Sequence, residues 1–260
     1  MCYTDSKGEK DRKERFPMLK KCTTVEEGVR NALEIFNFQS PVQWRYVPAQ
    51  AGQYTDRLVL DGKEYPLFWW RCDPQVGAMY AKAPSRKLCS MKLNRVGAKS
   101  AGLEALLYKE LDIAEWTMGS RIKTVMNFQK GGSMNMLATL ENERVALFEL
   151  AASLHDDTPE QGRHTYWGEE GMASDRVVSQ KVASEAIYLF TDDAKDPQTF
   201  NDIFIYMYGL SRTDTLKAVI IAEILMGRRS VADWNERDAH YRKCIAAAAV
   251  SAQTVRRVEV

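Results

Sequence analysis

Apolar residues recur along this chain with two distinct periods, and the change from one to the other divides it into elements. Thr24-Val25-Glu26-Glu27 opens a helix: Thr24 can cap, Glu27 follows three residues on, and Val29, Leu33 and Phe36 share a face. The same helical spacing returns at Leu107, Leu111, Ala114 and Met118, which predicts a helix over 106–119 with Gly119 as its stop. Alternation with period two follows, predicting strands at about 122–128, 134–141 and 144–154, with further candidates at 163–167, 172–178 and 184–190. Between the second and third strands, Glu141-Asn142-Glu143-Arg144 is a turn in which Asn142 suits positive φ. Ser211-Arg212-Thr213-Asp214 caps a helix that buries Leu216, Val219, Ile220, Ile224 and Leu225 and closes at Gly227. Asp233-Trp234-Asn235-Glu236 reads as a second capping box, opening an Ala-rich helix to about Ser251, before the chain leaves through Val255–Val260.

Between the first two of these helices lie a short extended piece between Pro41 and Pro48 and a hairpin around Asp61-Gly62. The second arm of the hairpin, Tyr65-Pro66-Leu67-Phe68-Trp69-Trp70, is aromatic and could seal the sheet or line a pocket. The sum is an α+β fold: a large, mostly antiparallel open sheet with helices packed on one face. Three regions are expected: a polar, disordered stretch at 1–22, an aromatic-rich extension with helix and hairpin at 23–90, and the main α+β domain at 91–260.

Composition narrows the function classes. With 36 basic and 35 acidic side chains the net charge is +1, so no basic footprint points to nucleic acid. Five scattered cysteines form no CxxC pair, which leaves a zinc or thioredoxin-like reading without support and fits reduced thiols in a cytoplasmic protein. The charged N-terminus lacks the apolar core of a secretion signal, and no apolar run reaches the roughly 18 residues of a membrane span. The methionines at 134, 136, 207 and 226 read as core fillers.

The order of elements from Leu106 onward resembles the C-terminal, substrate-side domain of the Gfo/Idh/MocA sugar oxidoreductases. The resemblance covers roughly residues 90–260. It rests on the helix ending Asp112-Ile113-Ala114-Glu115-Trp116-Thr117-Met118-Gly119, the strand pair across Glu141-Asn142-Glu143, the turn Trp167-Gly168-Glu169-Glu170-Gly171, and the closing pair of helices. In that family a histidine on the helix is placed to exchange the substrate hydroxyl proton, helped by an aspartate. Anchored on Asp112, the histidine position is Lys109 and the first aspartate position is Ala105. The family's Glu-Lys-Pro element has no counterpart, and no G-x-G-x-x-G turn occurs, so a dinucleotide site is not expected within the chain.

The resemblance therefore implies a protein without the Rossmann domain, a non-redox accessory, regulatory or binding subunit in carbohydrate metabolism with no cofactor of its own. Its alternative is an NAD(P)-dependent sugar oxidoreductase that takes its nucleotide domain from another chain; a sugar lyase or isomerase with Lys109 as base is a third reading. Lys109 and Asp112 are the catalytic candidates, although three residues apart on one helix they could simply pair with each other. Tyr108, Arg163, His164 and Trp167 are the substrate-binding candidates, since saccharide sites combine aromatic faces with convergent donors. No metal site is expected: His155-Asp156-Asp157 reads as a solvated turn and His240, four before Cys244, as an interhelix residue. The expected partners are further copies of the chain across the sheet face, a saccharide, and possession of a separate nucleotide-binding chain only in the redox reading; neither nucleic acid nor membrane is expected.

Overall fold

The computed structural model describes residues 22–82, 87–175, 187–191, 194–200 and 209–260. Helix α1 (Val25–Ile35) starts where the capping pattern places it, with Thr24 and Glu27 bonding each other's backbone N–H reciprocally. Strands β1 (Trp44–Val47), β2 (Arg57–Leu60) and β3 (Lys63–Pro66) form a small antiparallel sheet. Its β2–β3 turn carries Asp61 and Gly62 at φ 46° and 82°, the primed-turn geometry that matches strand twist. A 3₁₀ turn, Trp69–Cys72, and helix α2 (Pro74–Lys82) lead into the main sheet.

That sheet holds nine strands among the described residues: β4 (Leu88–Ala98), β5 (Ile122–Lys130), β6 (Ser133–Leu140), β7 (Val145–Leu154), β8 (Gln161–Gly168), β9 (Gly171–Ser174), β10 (Ile187–Thr191), β11 (Ala194–Phe200) and β12 (Val258–Glu259). Their spatial order is β11-β10-β9-β8-β4-β7-β6-β5-β12. Only the β4–β7 pair is parallel, so the sheet is mostly antiparallel, as expected. Helix α3 (Leu103–Met118) packs on β4 and β7, and α5 (Trp234–Thr254) packs on β5 and α3. Outside them, α4 (Arg212–Leu225) packs against α1 and the 3₁₀ turn. One continuous core runs from Val29, Leu58 and Phe68 through Leu107 and Leu111 to Ile220 and Trp234. On β6 the inward positions Met134, Met136, Ala138 and Leu140 are buried while the residues between them are more exposed, so the helices cover one face and leave the other open.

Several local expectations are corrected. Strand β4, in the middle of the sheet, escaped the sequence pattern because Arg95 occupies an inward position and breaks the apolar alternation. At the 141–144 turn it is Glu143, not Asn142, that takes φ 65°; the Asn142 side chain instead accepts from the Arg144 N–H. Asp233 precedes α5 without capping it, because its carboxylate is drawn to Arg237 at 2.5 Å. Pro197 hid β11, an edge position among the described strands where a missing N–H is tolerated. The stretch expected to be disordered lies outside the described residues up to position 21, as do Met207 and the ends of two expected strands at 176–178 and 184–186. Among the described residues no helix is long and apolar enough to cross a membrane.

Leu93, fully buried on the central strand, tests this placement. Leu93→Ala should cost about 2–5 kcal/mol in chemical denaturation, the range for a core cavity. A loss under 1 kcal/mol would put β4 at an edge.

Candidate functional site

Helix α3 carries the chemistry. It is buried on almost every side, yet Lys109, Glu110, Asp112 and Glu115 lie along it. A charge in such a place must find a partner, and each of these reaches a different one.

Lys109 turns towards a cleft of about 490 Å³ walled by α3, the 3₁₀ turn, the 159–164 segment and the start of α4. Its Nζ donates to Glu160 Oε1 at 2.8 Å and stands 4.4 Å from the centre of the Trp69 ring, within cation–π range. Burial, joined by the positive Arg95, loosens the Lys109 proton below the ordinary lysine range, while Glu160 works against both. Asp73 and Arg212, 3.1 Å apart, pair across the same cleft, and Arg163 stands on its rim.

Behind Lys109 the charges alternate in sign. Arg95 donates to Glu160 and to Glu110; Glu110 Oε2 meets His164 Nε2 at 2.9 Å; His164 Nδ1 meets Asp175 Oδ2 at 3.0 Å. Burial alone would strip His164 of its proton, but Glu110 and Asp175 on either side raise it from 6.5 to about 9, so the ring is an imidazolium donating from both nitrogens. Burial opposes ionisation of Glu110 and Glu160 as well, and Arg95 overcomes it, holding both carboxyls at about 2. Gly162 makes room for this: a Cβ there would fall 2.7–2.9 Å from the Arg95 guanidinium, which lies across β8 at that point.

The structure brings three of the sequence candidates, Lys109, Arg163 and His164, to one cleft. Asp112 is elsewhere. It is fully buried and accepts from Trp70 Nε1 at 2.6 Å, Arg71 Nε at 2.9 Å and Tyr241 OH at 3.0 Å, so its partner is Arg71 and not Lys109. Tyr108 lies in the aromatic core, its hydroxyl donating to Asp238. Trp167, 41% exposed, alternates with the inward Tyr166 and so belongs to the open face of the sheet. Arg95, Glu110, Glu160 and Asp175 do not stand out as site residues in the sequence, whereas Trp69 belongs to the aromatic tract that could line a pocket. Glu110, beside Lys109 on a helix of buried apolar positions, was the one signal available.

The His164 network sets a pH dependence. Because the folded pKa is raised, its stabilisation is complete below pH 6.5 and disappears as pH rises through about 9. Denaturant titrations across that window should show the protein losing on the order of 3 kcal/mol, and His164→Gln should remove this dependence. A wild-type profile flat over the window would mean a neutral ring.

No protein-family profile matches the chain, and no curated protein matches it. Solved structures do. Levoglucosan dehydrogenase in complex with NADH superposes with a TM-score of 0.58 at 14% identity, covering 74% of this chain and 64% of that one. Aldose-aldose oxidoreductase from Caulobacter crescentus, complexed with glycerol, gives 0.56 at 11% identity, covering 74% and 62%. A Thermotoga maritima protein classed with the oxidoreductases gives 0.56 at 12% identity, covering 91% and 68%. The chain thus spans about two thirds of the length of these proteins, and what it shares with them is the α+β fold of Gfo/Idh/MocA-type oxidoreductases.

Proposed function

We propose that this protein binds a saccharide or polyol in the Lys109 cleft and serves as a non-redox accessory, regulatory or binding subunit in carbohydrate metabolism. The observation that carries this reading is the setting of Lys109. Its ammonium is fixed between Glu160 and the face of Trp69 at the wall of the cleft, and the resemblance, anchored on Asp112, would align it with the family's proton-exchanging histidine. An ammonium has three N–H donors, so one bond to Glu160 leaves capacity for a ligand hydroxyl. Asp73 and Glu160 offer acceptors nearby, and Trp69 an apolar face for a sugar ring. The substrates named for the structural neighbours, levoglucosan and aldoses, belong to the same chemical class. In this reading Lys109, bonded to Glu160, serves the ligand as a hydrogen-bond donor.

We also propose that the open sheet face joins copies of the chain. Phe128, Leu137 and Trp167 are 51%, 38% and 41% exposed there, and apolar surface of this kind is ordinarily covered.

Titration calorimetry with a panel of aldoses, polyols and anhydrosugars should find a ligand for the wild type, and Lys109→Met should weaken it at least tenfold, about 1.4 kcal/mol, while the variant remains folded. Equal affinity in the variant would move the ligand out of this cleft. Stoichiometric binding of NADH or NADPH in the same instrument would overturn the non-redox reading in favour of a dehydrogenase. For the sheet face, light scattering should show an oligomer that Leu137→Arg converts to monomers; a monomeric wild type would refute that association.

A further inference from the structure

The last charged residue of α3 has an incomplete set of partners. Glu115 is 2% exposed; its Oε1 accepts the Ile122 N–H at 2.8 Å and lies 2.8 Å from His240 Nε2. Its Oε2 is buried and accepts no hydrogen bond; Arg237 Nη1 stands 3.9 Å away. One turn beyond His240 on α5, the thiol of the fully buried Cys244 comes to 3.6 Å from His240 Nε2. One ligand atom from each of Glu115, His240 and Cys244 lies within 4.8 Å of the other two. Around a tetrahedral ion with bonds of about 2.0–2.3 Å, ligand atoms stand roughly 3.3–3.8 Å apart, so small side-chain shifts would bring all three onto one ion.

We propose that Glu115, His240 and Cys244 form a binding site for a divalent transition-metal ion of the zinc type, clasping α3 to α5, with its fourth position open on the side of the partly exposed His240. The donor set carries the choice of metal: one sulfur and one imidazole nitrogen suit zinc or cobalt and reject calcium and magnesium, which take oxygen. The ion also gives a close opposite charge to the buried Glu115 carboxylate, whose Oε2 has no hydrogen-bond donor. Burial holds the Cys244 thiol protonated, with Glu115 adding to the effect. On binding, the thiol S–H bond breaks, a metal–sulfur bond forms and that proton leaves to solvent; His240 binds through the Nε2 lone pair, and the hydrogen it donates to Glu115 Oε1 passes to Nδ1 or, from an imidazolium, to solvent. This site is separate from the Lys109 cleft, and none of its residues lines that cleft.

The test uses the full chain stripped with a chelator and titrated with zinc chloride against a chromophoric competitor, then with cobalt chloride for its spectrum. The expected result is one zinc per chain at micromolar concentration or tighter, release of at least the thiol proton per ion, a cobalt–thiolate charge-transfer band, and a zinc-dependent rise in melting temperature. Cys244→Ala should abolish the band, His240→Gln should weaken zinc at least tenfold, and Cys89→Ser, at an exposed thiol, should change neither. Should Cys244→Ala fail to fold, His240→Gln decides alone. Absence of stoichiometric uptake, or uptake unchanged in His240→Gln, would overturn the site and leave Glu115 and His240 as an ion pair.

Discussion

A helix buried along nearly its whole length cannot carry unpaired charge, and beyond the exposed Glu104 of its first turn α3 carries four charged side chains. Moving an ion out of water costs several kcal/mol even after relaxation, and only close opposite charge and hydrogen bonds offset that. The surroundings of α3 are built to this requirement. Arg95 and His164 come from the sheet to meet Glu110, Arg71 from the 3₁₀ turn to meet Asp112, His240 from α5 to meet Glu115, and Glu160 from a loop to meet Lys109. Each pair fixes a different element against the same helix, so the packing of sheet, turn and terminal helix is specified by charge as well as by shape.

The cleft is the exposed end of this arrangement. Lys109 and Glu160 face it, and the groups behind them are held in one ionisation state by their neighbours. Rigid donors and acceptors at fixed positions are what a polar ligand needs, because little ordering remains to be done on binding. Asp112 shows the opposite use of the same chemistry. With its oxygens bonded to Trp70, Arg71 and Tyr241, and Arg71 stacked 4.8 Å over Phe68, it clamps the aromatic tract to α3 and has nothing left for a substrate.

Much of the architecture was legible in the sequence. Period and capping located α1, α3, α4 and the strands β5, β6 and β7, because there local preference and tertiary burial agree. They disagree on β4, where Arg95 sits inward for the sake of Glu110, and pattern reading passed over the central strand. The site was harder to read for the same reason. Lys109 and Asp112 look equivalent along the chain, but at 100° per residue they point some 60° apart, enough to send one to the cleft and the other into the core. The partners that give each its role, Glu160 and Arg71, are 51 and 41 residues away, and no local pattern connects them. The aromatic tract was open between two readings and serves both: Phe68 and Trp70 are buried in the core, and Trp69 lines the cleft.

The parallel pairing of β4 with β7 bears on how the protein folds. Met91 is matched with Ala146 and with Tyr166, so the central strand cannot acquire either neighbour until long stretches of chain have been brought back to it. Local hairpins such as β5–β6 can form early, but closing long loops slows the steps that depend on them. Arg95 enters with β4 and His164 with β8, which makes the buried charge network a late event. Until then Glu110 remains in water, where its charge costs nothing, and the barrier to folding should include the desolvation of that helix face together with the docking of the strand.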